Sequence, residues 1–89
     1  MDRGEIEKRL EDILVKATGS LPADELADMI DLVRHGEPGI ALENFCTQLD
    51  DHDSVVSDDV VGELRPLAAA MGMTLPPWIE RAVDVHKTR

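Results

Sequence analysis

The chain has few aromatic residues, one cysteine, few bases and no long apolar run, and each shortage excludes a class of protein. Its two aromatics, Phe45 and Trp78, are too few for the stacking platforms that grip single-stranded nucleic acid. The single cysteine, Cys46, has no partner for an internal disulfide. No run approaches the ~20 apolar residues of a membrane span, and the charged first residues are unlike a signal peptide. We therefore expect a cytoplasmic protein that does not bind membranes.

Acidic residues outnumber basic ones, and they are concentrated in the middle of the chain. Nineteen acids against nine bases give the 89 residues a formal charge of −10. Between Ser20 and Glu63 there are twelve acids and one base, Arg34, so this segment carries −11 and the rest is nearly neutral. A segment with this charge repels the phosphate backbone of nucleic acids. Because the acids are concentrated in one segment, we expect a basic partner that is not nucleic acid. The alternative is that these helices only turn solvated faces outward.

Hydrophobic periodicity predicts helices along the whole chain. Apolar residues recur at the i, i+3, i+4 and i+7 spacing of an amphipathic helix, and no segment alternates for long enough to predict a strand. The length permits one domain, residues 1–89. We predict an all-α fold, a compact bundle of four to five short helices joined by short loops.

Capping residues predict where these helices begin and end. Residues 50–57 are expected to form an exposed acidic loop, with Val55 and Val56 folded back toward the core. Pro66 is expected to kink or split the fourth helix near Gly62, because its nitrogen cannot donate to the preceding turn. The expected helices span about 3–18, 22–34, 38–49, 58–71 (after the N-cap Ser57) and 77–86.

No arrangement of side chains predicts catalysis, a metal site or a cofactor. An EF-hand starting at Asp51 would place Val56 where a glycine is needed and Gly62 where the bidentate glutamate is needed. Cys46 lies on the apolar stripe of the third helix, with no neighbouring base to activate it. The chain has no glycine-rich phosphate loop with its lysine. We expect a protein that is not an enzyme and holds no cofactor.

Two stretches, HGEPGIALENFCTQL at 35–49 and LAAAMG at 67–72, carry a family resemblance. The region from about 29 to 73 that contains them resembles the MafI-type immunity proteins, which accompany secreted polymorphic toxins in bacteria. The resemblance implies a small antitoxin-like protein that forms a heterodimer with one cognate toxin domain, often a nuclease, and blocks it. A basic nuclease would suit the acidic segment, and electrostatic steering would speed the encounter.

An immunity function makes the acidic loop and the start of the fourth helix the predicted toxin-binding surface. Asp59 and Glu63 are four residues apart and share one helix face, where a partner's lysine or arginine would relieve their repulsion. The predicted binding residues are Glu37, Glu43, Asp50, Asp51, Asp53, Asp58, Asp59 and Glu63.

Two other functions remain open. Asp53-Ser54-Val55, followed by an acidic helix and by MGMTLP at 71–76, resembles an acyl or peptidyl carrier protein, in which a serine bears a phosphopantetheine arm. That resemblance makes Ser54 the candidate attachment site, although the family has leucine where Val55 stands and the fourth helix begins only at Ser57. The third possibility is a generic acidic helical adaptor.

Overall fold

The computed structural model describes residues 1–54 and 56–82, and these residues confirm the predicted all-α bundle. Their radius of gyration, 12.2 Å, is close to the ~12 Å expected of a compact chain of this length. No helix among them is long and apolar enough to cross a membrane. The helices are α1 (Arg3–Lys16), α2 (Ala23–Arg34), α3 (Pro38–Asp51), α4 (Asp58–Ala70) and a terminal 3₁₀-helix (Pro77–Ala82).

α1 lies at the centre of the bundle, where it contacts α2, α3 and α4. The start of α1 lies beside the end of α2, because the Arg3 guanidinium donates to the Gly36 carbonyl oxygen at 2.6 Å. The start of α2 lies beside the end of α3, where Glu25 Oε2 is 2.9 Å from His52 Nε2. Neighbouring helices therefore run antiparallel, as short connections require.

The core of the described residues is apolar throughout, with no buried polar or charged side chain. Val56 folds back into it as predicted, and Val55 lies outside the described residues. Ile79 is buried and Trp78 half-buried, so the 3₁₀-helix also turns apolar side chains toward the core. The apolar residues that recur at helical spacing in the sequences of the first and third helices are all buried: Ile6, Leu10, Ile13, Leu14, Ala17, Ala41, Leu42, Phe45, Cys46 and Leu49.

α2 and α4 end in the same way, with a Schellman motif built around a glycine. After α2, the Glu37 N–H donates to the Leu32 carbonyl oxygen at 2.8 Å, and Gly36 lies at a φ of 82°. After α4, Gly72 takes the equivalent position at a φ of 68°. Glycine reaches this left-handed conformation without a Cβ clash, which confirms the predicted helix ends.

The first helix is shorter than predicted, and the described part of the last one is a different type of helix. α1 ends at Lys16, because the Thr18 hydroxyl donates to the Val15 carbonyl oxygen at 2.7 Å and so competes with continued helix. The last helix, expected to reach about 86, is a 3₁₀-helix over Pro77–Ala82. The remaining predicted residues, 83–86, lie outside the described part of the chain.

α4 runs without a break through Pro66. Of the two predicted effects of this proline, the split does not occur, and the kink stays a prediction. Pro66 has no N–H to donate to the carbonyl of Gly62, one turn earlier. Both residues are exposed, which lets water satisfy that carbonyl in place of the missing backbone donor.

Replacing Gly62 with alanine should raise the free energy of unfolding by about 0.5–1 kcal/mol, because glycine loses the most backbone freedom in a helix. A Cβ at this position meets no heavy atom within 4 Å. Urea unfolding of both proteins measures the difference. Gly36→Ala is the contrasting variant, since its φ is 82° and its Cβ would lie 2.9 Å from Arg3 Nη2. We expect it to lose stability, and a gain like that of Gly62→Ala would contradict this account.

Candidate functional site

α3 continues further than predicted and carries two carboxylates at its end. It includes Asp50 and Asp51, so the prediction of a loop over 50–57 is wrong at its start. The extension is closed by a Schellman motif, in which the Ser54 N–H donates to the Leu49 carbonyl oxygen at 2.9 Å. Both aspartates are exposed, and the last turn contains no base. The negative end of the helix dipole therefore opposes them.

Asp53 occupies the position that glycine takes after α2 and α4. Its φ is 51°, and it is the only non-glycine among the described residues with a positive φ. Its N–H donates to the Asp50 carbonyl oxygen at 3.1 Å, as the motif requires. A side chain in this conformation costs roughly 1 kcal/mol. The exposed carboxylate of Asp53 is thus held at some expense of stability.

Ser54 fixes the end of α3 to the connection between α1 and α2. Its hydroxyl, half-buried, donates to the Ser20 carbonyl oxygen at 2.7 Å. The neighbouring His52 ring contacts Glu25 at the start of α2. The end of α3 and the start of α2 therefore share one end of the bundle.

α4 begins at this same end, with two acidic residues in its first turn. Ser57 is the N-cap, and its hydroxyl accepts the Val60 N–H at 3.3 Å, which confirms the predicted cap. Asp58 and Asp59 follow at once, where the positive end of the helix dipole favours a carboxylate. These two aspartates therefore stabilise the fold, in contrast to those at the end of α3.

Together these helix ends form a surface of seven carboxylates that we call the acidic end. Five of its members were predicted as binding residues from the sequence. Asp24 and Glu25 were not predicted as binding residues. Their presence in the first turn of α2 is explained by the helix dipole, which favours acids there. Only the antiparallel pairing of α2 with α3 brings them to this surface. The acidic end comprises Asp24, Glu25, Asp50, Asp51, Asp53, Asp58 and Asp59.

Of the other three predicted binding residues, Glu63 lies one turn after Asp59 on α4 and is already paired, and Glu37 and Glu43 lie elsewhere. Glu63 is joined to α1, with its Oε1 3.0 Å from Lys16 Nζ. Glu37 and Glu43 belong to the opposite end of α3, where they line a hollow with Arg3. The eight predicted carboxylates thus form one surface of five residues, one ion pair across helices and a separate pair.

Four bases among the described residues are paired with acids of α1. Arg34, the one base between residues 20 and 63, contacts both carboxylate oxygens of Glu11 at 3.1 Å. The excess negative charge of the sequence therefore lies more on the acidic end than on the surface of α1. The other ion pairs on α1 are Arg3–Glu7, Lys8–Asp12 and Arg9–Glu5.

The described side chains offer electrostatic binding more than covalent chemistry. Burial raises the pKa of the Cys46 thiol to about 11, so it stays protonated, and a poor nucleophile, at neutral pH. His35 Nδ1 lies 2.7 Å from the Asp31 carbonyl oxygen at the end of α2. No group of three or more His, Cys, Asp or Glu side chains in residues 1–54 and 56–82 is placed to hold a metal ion.

Comparison of the chain with protein-family models, with curated proteins and with solved structures finds no match. The resemblance of residues 29–73 to immunity proteins therefore stays a prediction, as does that of Ser54 to a carrier attachment site. The hydrogen bond from Ser54 to Ser20 gives this hydroxyl a structural role at the acidic end.

Replacing Asp53 with glycine should raise the free energy of unfolding by about 0.5–1 kcal/mol, because glycine adopts a positive φ without Cβ strain. Urea unfolding at neutral pH measures the change. Asp53→Asn is the matched control: it removes the same charge but keeps a side chain, and we expect a smaller gain. A loss of stability in Asp53→Gly would contradict the strain assigned to this position.

Glu11 should make stability depend on pH. The hydrogen bond from Arg34 lowers the pKa of the Glu11 carboxyl. Because the pKa is lower in the folded state, the stabilisation is present above the ordinary glutamate pKa and is lost as the pH falls through the folded value. Glu11→Gln should thus unfold at a lower temperature at neutral pH, and this difference should vanish in acid. A difference that does not change with pH would contradict the assignment.

Proposed function

We propose that this protein is an immunity protein that binds a basic toxin domain, a nuclease being the leading case, and blocks it through the acidic end. The observation that carries the proposal is the placement of Asp50, Asp51 and Asp53. All three are exposed carboxylates at positions where the isolated fold would be more stable without them. Contacts with the lysines and arginines of a partner would make these carboxylates stabilising in the complex.

The cost to the isolated fold follows from the geometry of α3. Asp50 and Asp51 oppose the helix dipole, which is worth about 0.3–1 kcal/mol for each charge. Asp53 adds a strained backbone, where α2 and α4 have glycine. Side chains that break local rules without benefit to the fold are typical of functional sites. Asp58 and Asp59 extend the same surface while also stabilising α4.

The acidic end is suited to a site that binds nucleic acid. Such sites hold phosphates with clustered lysines and arginines, and seven surface carboxylates present a similar density of negative charge. Long-range attraction would raise the association rate by a factor of about 10–1000. In this role the protein acts in the cytoplasm, and the toxin domain, by binding only the folded state, would also stabilise it.

Reversing two of the unfavourable charges should separate binding from folding. We expect Asp50→Lys with Asp51→Lys to weaken binding of the toxin domain by at least roughly 100-fold, since each lost charge contact costs a few kcal/mol. The same variant should unfold at a higher urea concentration, because lysine suits the end of a helix. Calorimetric titration with a catalytically inactivated variant of the toxin domain measures the affinity. An immunity function predicts that this domain is encoded by a neighbouring gene.

The matched control reverses two charges on another helix. Asp28 and Asp31 are exposed on α2, and Asp31 lies in its last turn, at the opposite end of the bundle. Asp28→Lys with Asp31→Lys makes the same change in net charge and should lower the affinity far less. Undiminished binding by the α3 variant, or an equal loss in both variants, would overturn the proposal.

A further inference from the structure

A groove with both polar and apolar lining residues lies on the other part of α3, between that helix and the segment that leads into the 3₁₀-helix. Its volume is about 490 Å³, enough to take several side chains of a ligand. Three of its residues, Met73, Leu75 and Trp78, are only partly buried and pack on the outside of the core. Glu43 of α3 stands at its edge.

A second hollow, of about 400 Å³, adjoins the groove, since Glu43 and Met73 line both. It adds Met71 and Ile40, and the Ile40 side chain is 46% exposed. Methionine side chains adapt their shape to a ligand and are frequent on surfaces that bind peptides. The two hollows together form one surface with exposed apolar side chains, which we call the Met73 groove.

The charged edge of the Met73 groove is acidic. Glu37 and Glu43 line it from α3. The one base that lines the two hollows, among the described residues, is Arg3. Its guanidinium is already engaged, with Nε 3.3 Å from Glu7 and Nη2 2.6 Å from the Gly36 carbonyl oxygen. Among the described residues, the charge that this groove offers a partner is therefore negative.

We propose that the Met73 groove binds a short basic amphipathic helix of a partner protein. Its apolar face would contact Met73 and Trp78, and its cations would face Glu37 and Glu43. Because both glutamates line the same hollow, two lysines or arginines on one side of a bound helix, at i and i+7, would lie toward them. An amphipathic helix laid in a groove is a recurring mode of recognition.

This inference deepens the proposed function, since it gives the toxin domain an apolar anchor apart from the acidic end. Charge at the acidic end would govern the rate of association, and contacts in the groove would govern the rate of dissociation. The peptide experiment below uses no toxin domain. It can therefore fail while the proposed function stands, and the reverse also holds.

Trp78 is the only tryptophan of the chain and lines the groove, so its fluorescence reports occupancy. The probe is a synthetic amphipathic helix of about 16 residues, with leucines along one face and two lysines at i and i+7 beside them. We expect saturable binding to the full-length protein, a blue shift of the emission and protection from quenching by acrylamide. A peptide of the same composition in scrambled order should produce none of these.

Two pairs of variants separate binding in the groove from general attraction of a cationic peptide. Glu37→Gln with Glu43→Gln should weaken peptide binding about tenfold, and Met73→Ser should weaken it by a similar factor. The matched control, Asp28→Asn with Asp31→Asn, removes the same charge from exposed positions of α2 that line neither hollow. It should leave the affinity within about twofold at ~0.15 M salt, where distant charges are screened.

Three results would overturn the inference. Equal binding of the scrambled peptide, or an equal loss in both pairs of variants, would show attraction by net charge alone. Trp78 that acrylamide cannot reach before peptide is added would show that the chain itself fills the groove. Self-association that protects Trp78, seen by sedimentation of the protein alone, would make the occupant a second copy.

Discussion

Because no polar or charged side chain is buried among the described residues, the carboxylates have to share the surface, and their mutual repulsion constrains every helix. α1 meets this constraint with ion pairs along its length. Arg34 of α2 adds a further ion pair to α1, because its Nη2 lies 3.1 Å from Glu11 Oε2. The remaining repulsion is concentrated where α2 and α4 begin and α3 ends. Two of those three helix ends favour a carboxylate, and the end of α3 opposes it.

The apolar core supplies the free energy of folding that offsets the repulsion between the carboxylates. Leu10, Phe45 and Leu64 are fully buried, and side chains of this size each contribute about 1.5–3 kcal/mol on burial. The strain at Asp53 and the opposed dipole at Asp51 are local and small beside that sum. The bundle can therefore stay folded although the carboxylates at the end of α3 destabilise it. The proposed roles, the acidic end for the rate of association and the Met73 groove for the rate of dissociation, follow from the different side chains of the two surfaces.

Local patterns predicted the helices and their buried faces, because caps and apolar spacing are properties of short segments. Ser57 before two aspartates and Gly72 after an apolar run both mark helix boundaries in the sequence. The end of α3 could not be predicted, since Asp53 stands where a glycine would have signalled the Schellman motif. Nor could the grouping of the carboxylates: the contact of Ser54 with Ser20 spans 34 residues, and only the tertiary pairing of helices creates it.

The central claim, that the carboxylates at the end of α3 destabilise the free protein electrostatically, is tested most directly by unfolding at two salt concentrations. Wild type is compared in urea with Asp50→Asn plus Asp51→Asn, at ~10 mM and ~500 mM sodium chloride, where the screening length falls from about 30 Å to about 4 Å. The account predicts that the variant is more stable at low salt and that the gap narrows at high salt. A variant that is no more stable at low salt, or a gap that salt does not change, would contradict it.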